Sequence, residues 1–203
     1  LFVRRENQLI NNSLDLTFHP LTPERWLDLE QLFGKHGATG GCWCMWWKMT
    51  SAEFTQNKGE GNKTALKKLI EEGEIPGILA YHAGMAVGWC AIGPRAAYPR
   101  LNRSKILAPV DEQPVWSIVC FFVARPYRKK GITMKLIQAA VEYAADNGAS
   151  IVEAYPVDPK TRKSPDPFVY TGLFSAFTKA HFTEVFRRSE TRPIMRHFIE
   201  KFH

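Results

Sequence analysis

Residues 115–147 constrain the fold most. VWSIVCFFV at 115–123 is a nearly unbroken apolar run, as expected of a strand at the centre of a sheet covered on both faces. The basic turn ARPYRKKG follows, and from Ile132 to Asn147 the residues Ile132, Leu136, Ile137, Ala140, Val141 and Ala144 recur at helical spacing, with Gly148 as the stop. The strand ASIVEAYPV comes next. A buried strand, a helix and a second strand in succession point to an α/β sheet.

The remaining segments extend that sheet. LDLTFHPL at 14–21 alternates like an opening strand, and Pro23 precedes a helix carrying Trp26, Leu29 and Leu32 or Phe33. Four glycines between 34 and 41 end that helix. GCWCMWWKM is too aromatic to leave in water, so it must return to the body as a strand or a wall. NKTALKKLIEEG reads as a helix capped by Asn62 and stopped by Gly73, and ILAYHAGMAVGWCAI as a hairpin around Ala83-Gly84. Residues 93–114 hold prolines and charges without a period and read as a mobile or functional loop. After a polar loop at 158–167, a helix is expected at 172–181 and two closing strands at 182–188 and from Arg192 to Ile199. The 203 residues show no internal repeat and read as a single domain, 1–203.

The basic turn is the chemical feature. A helix N-terminus carries unpaired N–H groups and partial positive charge, which suits an anion. Arg128, Lys129 and Lys130 add full charges, and Gly131 lets the backbone approach a phosphate. The net charge of +7 also suits nucleic acid, but the basic residues form no stripe, so a small phosphorylated ligand is the better reading. No stretch reaches the roughly 18 apolar residues of a membrane span. LFVRRENQLI lacks the apolar core of a signal peptide. No membrane contact and a cytoplasmic address are therefore expected. Cys42, Cys44, Cys90 and Cys120 show no bridge pattern and read as free thiols. C-x-C with His36 lacks the fourth ligand of a zinc site, so no metal is expected.

At this junction the sequence resembles the GNAT superfamily of acyl-CoA-dependent N-acyltransferases. Its motif Arg/Gln-x-x-Gly-x-Gly/Ala is matched by Arg128-Lys-Lys-Gly131-Ile132-Thr133, with Thr133 where Gly or Ala is usual. The resemblance implies a mixed, mostly antiparallel central sheet of about seven strands with helices on both faces. It also implies acetyl-CoA as acyl donor, with the backbone of Phe121, Phe122 and Val123 along the pantetheine and the amides from Arg128 to Thr133, through Lys129, Lys130, Gly131 and Ile132, around the pyrophosphate. A second motif, Ala-x-x-x-Tyr-x-x-x-Gly-Phe, is resembled by 173–182, where Phe177 replaces the tyrosine that protonates the departing thiolate and His181 replaces the glycine.

Acyl transfer to an amine needs a route for the amine's proton, a polarised carbonyl and a place for the thiolate. Glu153 and His181 are candidate bases, although His181 in a glycine's place also reads as a helix cap. Ser117, Tyr170 and Ser175 are candidate hydroxyl partners, and Asp111 and Glu112 can meet a cationic acceptor. Cys120, alone in an apolar strand, reads as packing rather than a nucleophile. Trp43, Trp46 and Trp47 read as core or as an acceptor wall. The expected activity is acetyl transfer to a small-molecule amine by a monomer or homodimer. The few acidic residues tilt away from polyamines. The rivals are a catalytically inactive acyl-CoA-binding module and a basic nucleic-acid-binding protein.

Overall fold

In a computed structural model the described residues are 14–159 and 170–200. They form one seven-stranded sheet. In chain order the elements are β1 (Thr17–Pro20), α1 (Trp26–Phe33), α2 (Ser51–Gln56), α3 (Glu60–Glu71), β2 (Gly77–His82), β3 (Met85–Pro94), α4 (Pro99–Arg103), β4 (Trp116–Val123), α5 (Ile132–Asp146), β5 (Ile151–Ala154), α6 (Phe174–Lys179), β6 (Thr183–Arg187) and β7 (Pro193–Phe198). The sheet order is β1-β2-β3-β4-β5-β7-β6, antiparallel except for β4 beside β5. The one parallel pair is the one joined through α5, because a crossover helix returns the chain to run the same way.

The alternation of β2 and β4 sorts two cores. Leu79 and Val119 face a layer with Trp26, Leu29, Phe33, Trp43 and Leu66, while Ile78, Ile118 and Phe121 face Leu136, Ile137, Ala140 and Phe177. The aromatic segment is the expected wall and not a strand. Trp43 and Cys44 sit at positive φ, and Trp43 stacks on Trp26 at 5.9 Å between ring centroids. Asn62 is not a cap. It lies within α3, fully buried, and its Nδ2 donates to the Gly41 carbonyl at 3.0 Å. Helix α2, not expected from periodicity, is started by a capping box between Thr50 and Glu53.

The loop at 93–114 is pinned by charge. Glu153 on β5 is 1% exposed; its Oε1 accepts from Arg95 Nη1 at 2.8 Å and from the Tyr155 hydroxyl at 2.7 Å, and its Oε2 accepts from Arg196 Nε at 2.8 Å. Arg196 grips Asp111 with both terminal nitrogens, at 2.6 and 3.0 Å. That grip pulls the Asp111 carboxyl down to about 2. Arg95 Nη2 donates to the Leu107 carbonyl at 2.7 Å. The loop ends therefore close onto β5 and β7 through two guanidiniums that share one buried carboxylate. Asp111, expected as an acceptor contact, is consumed by this link.

Replacing Glu153 with Ala leaves Arg95 and Arg196 buried without their shared anion. Breaking a buried charge network this way costs about 3–5 kcal/mol. Urea unfolding of Glu153→Ala should register that loss, and an unchanged midpoint would contradict the network.

Candidate functional site

The site is made by a gap in the sheet. Ala91 lies opposite Cys120 but the next residue, Ile92, lies opposite Ile118, so Val119 is an extra residue in β4. Such a bulge bends and twists its strand. Strand β5 pairs with β4 only at Trp116–Ile118 and ends at Ala154, whereas β4 continues to Val123. The chain at 170–172 enters the gap. Tyr170 O accepts from the Phe121 amide at 2.6 Å and Gly172 O from the Val157 amide at 2.9 Å.

A groove of about 820 Å³ runs along this opening. Phe121, Phe122 and Val123 from β4 line it, as do Arg128, Lys129, Gly131, Ile132 and Thr133 from the turn and the start of α5. Trp46, Trp47, Phe54, Tyr170 and Ser175 line it as well. Gly131 is the N-cap of α5 at φ 77 and ψ 2, and no side chain caps the helix. The first-turn amides thus open toward the groove with the helix dipole behind them. Arg128 Nε donates to the Val123 carbonyl at 3.0 Å, tying the basic turn to the end of β4. Lys130 instead lies 5.4 Å from the Tyr127 ring centroid and is not among the lining residues.

The candidate catalytic residues are dispersed. Glu153 is held in the ion network just described. Ser117 is fully buried beside it, its Oγ 2.9 Å from the Tyr155 hydroxyl. Neither lines the groove. His181 is exposed at φ 62, and its amide donates to the Thr178 carbonyl at 3.1 Å, which is the geometry of a helix cap. Phe177 is fully buried against Phe121 and Phe182, with centroids at 6.0 and 5.0 Å. Its place in the second motif is therefore a packing position in this chain. Among the described lining residues there is no Asp, Glu or His.

Of the candidate hydroxyl partners, Tyr170 and Ser175 line the groove and Ser117 does not. Burial pushes the Tyr170 phenol up to about 12, so it keeps its proton at any ordinary pH. Cys42, Cys44 and Cys120 line the same wall, with Cys44 Sγ donating to Cys120 Sγ at 3.3 Å and accepting from the Trp89 indole at 3.0 Å. The neighbouring thiol and burial hold Cys42 protonated, and contact with Cys120 does the same for Cys44. A buried neutral thiol is a poor nucleophile, which applies to Cys42 and Cys44; Cys120 is buried in β4 against the Cys44 thiol. No group of three or more metal-ligating residues is assembled among the described residues. No helix among them is long and apolar enough to cross a membrane.

Gly131 is required by its backbone and not by crowding, since a Cβ there would meet nothing within 4 Å. Gly131→Ala should cost about 1–2 kcal/mol, the penalty of the left-handed conformation for an L side chain. Gly131→Asn should cost less, because Asn tolerates that region. Equal midpoints for all three proteins in urea would refute the assignment.

Known proteins place this architecture. No curated protein matches in sequence. Solved structures do match in fold: PaiA N-acetyltransferase from Thermoplasma acidophilum, in complex with coenzyme A, is 13% identical with a TM-score of 0.51 over 92% of this chain and 100% of its own. A GNAT-family acetyltransferase from Listeria monocytogenes is 11% identical with a TM-score of 0.56 over 92% and 96%. An N-acetyltransferase from Staphylococcus aureus is 12% identical with a TM-score of 0.51 over 90% and 96%. At these identities the likeness is one of fold. The sequence model of the acetyltransferase (GNAT) family matches residues 43–164. That match spans more than half of the chain, from the aromatic wall through the bulged strand and the basic turn, and the protein belongs to the GNAT acetyltransferase family.

Proposed function

We propose that the protein moves an acetyl group from acetyl-CoA to an amine by direct attack in a ternary complex. The observation that carries the reading is the groove itself, which joins an uncapped, basic helix N-terminus to an open strand edge and then to an aromatic wall. Anion, extended amide chain and apolar amine each find a matching surface there. The coenzyme A bound to the Thermoplasma protein of the same fold supports the choice of donor.

In this reading the amides of Gly131, Ile132 and Thr133 receive the pyrophosphate, with Arg128, Lys129 and Lys130 supplying charge around them. The Thr133 hydroxyl adds a donor where a smaller residue is usual. The pantetheine lies along Phe122 and Val123, because the Phe121 amide is already bonded to Tyr170. The acceptor stands against Trp46, Trp47 and Phe54. Tyr170, protonated throughout the working range, gives its proton to the departing thiolate, the role that Phe177 lacks a hydroxyl to fill. Glu153 and Ser117 act at a distance by fixing β5, and His181 by ending α6.

No carboxylate or imidazole among the described residues lines the groove, and in this reading the amine reacts as the free base and releases its proton to water. The second reading, a module that binds acyl-CoA without turnover, draws on the same absence and on Phe177.

Calorimetric titration decides the cofactor, with acetyl-CoA expected to bind at micromolar concentration and ATP weakly. Free thiol released from an amine panel then separates enzyme from module, since binding without any thiol release favours the module. For the enzyme, kcat/KM should rise about tenfold per pH unit until the acceptor's ammonium is deprotonated; a plateau near 6.5 would reveal a histidine base instead. Tyr170→Phe should lower kcat by about 10²-fold with acetyl-CoA affinity unchanged. Wild-type kcat in that variant would remove Tyr170 from the chemistry.

A further inference from the structure

Three of the four cysteines line the groove, and the proposed transfer uses none of them. Cys42, Cys44 and Cys120 are at its surface, whereas Cys90 is fully buried in the core layer that holds Ile78 and Ile118 and does not line it. Cys44 is 7% and Cys120 9% exposed. Because both line the groove, it is through the groove that a small molecule reaches their sulfurs.

These two sulfurs are in contact. Cys44 Sγ donates to Cys120 Sγ at 3.3 Å, across 76 residues of chain. Cys44 belongs to the aromatic segment and sits at φ 56, directly after Trp43 at φ 43. Cys120 follows the bulge residue Val119 in β4. Two indoles hold both backbones in register: Trp89 Nε1 donates to Cys44 Sγ at 3.0 Å, and Trp47 Nε1 donates to the Val119 carbonyl at 3.1 Å. The contact therefore joins two anchored parts of the fold. Cys42 is engaged elsewhere, its Sγ donating to the Gly37 carbonyl at 3.7 Å.

A disulfide holds its sulfurs about 2.05 Å apart. From the contact at 3.3 Å, an approach of roughly one ångström makes that bond. A thiol is a weak donor and a weak acceptor, so the contact adds little to stability while both sulfurs stay reduced.

We propose that Cys44 and Cys120 form a dithiol centre, entered through the groove, that a low-molecular-weight disulfide oxidises to a bond between the two sulfurs. Contact with Cys120 and burial hold Cys44 protonated, which makes it the poorer first attacker. Cys120 gives its proton to water, and its sulfur attacks one sulfur of the incoming disulfide. The small S–S bond breaks, one small thiolate leaves and takes up a proton, and a mixed disulfide remains on Cys120. The Cys44 sulfur gives up its proton in turn and attacks the Cys120 sulfur, and the second small thiol departs. The protein loses two hydrogens, and one small disulfide becomes two thiols. The new bond ties the aromatic segment to β4, two parts of the groove's own lining. That CoA shares the entry rests on the transferase reading; the dithiol chemistry does not.

The full chain, reduced and freed of reductant, is treated without denaturant with one equivalent of dithiodipyridine, the released thione is followed by absorbance, and the product is mapped by peptide mass spectrometry. Two thiones should appear per reagent consumed, with no pyridyl group retained and a Cys44–Cys120 cross-linked peptide that dithiothreitol reverses. Cys42→Ser should give the same cross-link, and Cys44→Ser should stop at a mixed disulfide on Cys120. The wild-type peptide map carries the test by itself should a variant not fold. A pyridyl adduct retained on either cysteine, a cross-link through Cys42 or Cys90, or no reaction short of denaturation would overturn the proposal. CoA at about 100 times its Kd should slow the oxidation at least about tenfold, because mass action leaves few grooves open. An unchanged rate with CoA shown by calorimetry to be bound would overturn the groove as the entry. Failure of CoA to bind at all would count against the transferase reading and leave the cross-link standing.

Discussion

The buried carboxylate of Glu153 organises the centre of this molecule. It draws Arg95 from the loop after β3 and Arg196 from β7 to one point on β5, and through Arg196 it also draws Asp111. Hydrogen bonds from Tyr155 to Glu153, and between Ser117 and Tyr155, extend the hold to β4. Strand β5 is short, with four residues, and its ladder alone would leave it weakly located. The ion network fixes it where β4 and β5 still pair, at Ser117 and Glu153, and beyond that point the strands are free to part.

The parting is what makes a groove. The extra residue at Val119 turns the end of β4, and the segment at Tyr170–Gly172 fills only part of the gap. An open strand edge is ordinarily a liability in water. Here Trp46, Trp47, Phe54 and the α5 terminus line the same groove as the strand end. Rigidity near Glu153 and openness near Val123 are two ends of one strand pair. The groove also holds different chemistry in different places, with positive charge at Arg128 and Lys129 and thiols at Cys42, Cys44 and Cys120.

Much of this was legible in the chain. The apolar run at 115–123, the helix from Ile132 and the hairpin at Ala83-Gly84 follow from local periodicity and turn chemistry, and each forms as expected. Gly131 with its basic neighbours marked the start of α5, which lines the groove, for the same reason. Helix α2 was marked by the Thr50-x-x-Glu53 capping box, a signal that hydrophobic period alone does not carry. The roles of Glu153, Ser117 and Asp111 were not legible, because a charged or polar residue in a strand or aperiodic loop has the same local appearance whether it meets a ligand or another side chain.

The sequence by itself determined the order of elements, the two-faced central strand, the uncapped helix with its glycine, and the absence of a hydroxyl at Phe177. All of these depend on residues close together in the chain, where period, backbone freedom and side-chain chemistry act locally. Only the tertiary structure decided that Glu153 is an anchor, that Asp111 is taken by Arg196, and that Tyr170 comes to line the groove beside β4. Those outcomes depend on pairings across 43 residues from Glu153 to Arg196 and 85 from Asp111 to Arg196. A buried charge selects its partner by three-dimensional proximity, and a sequence pattern has no term for that distance.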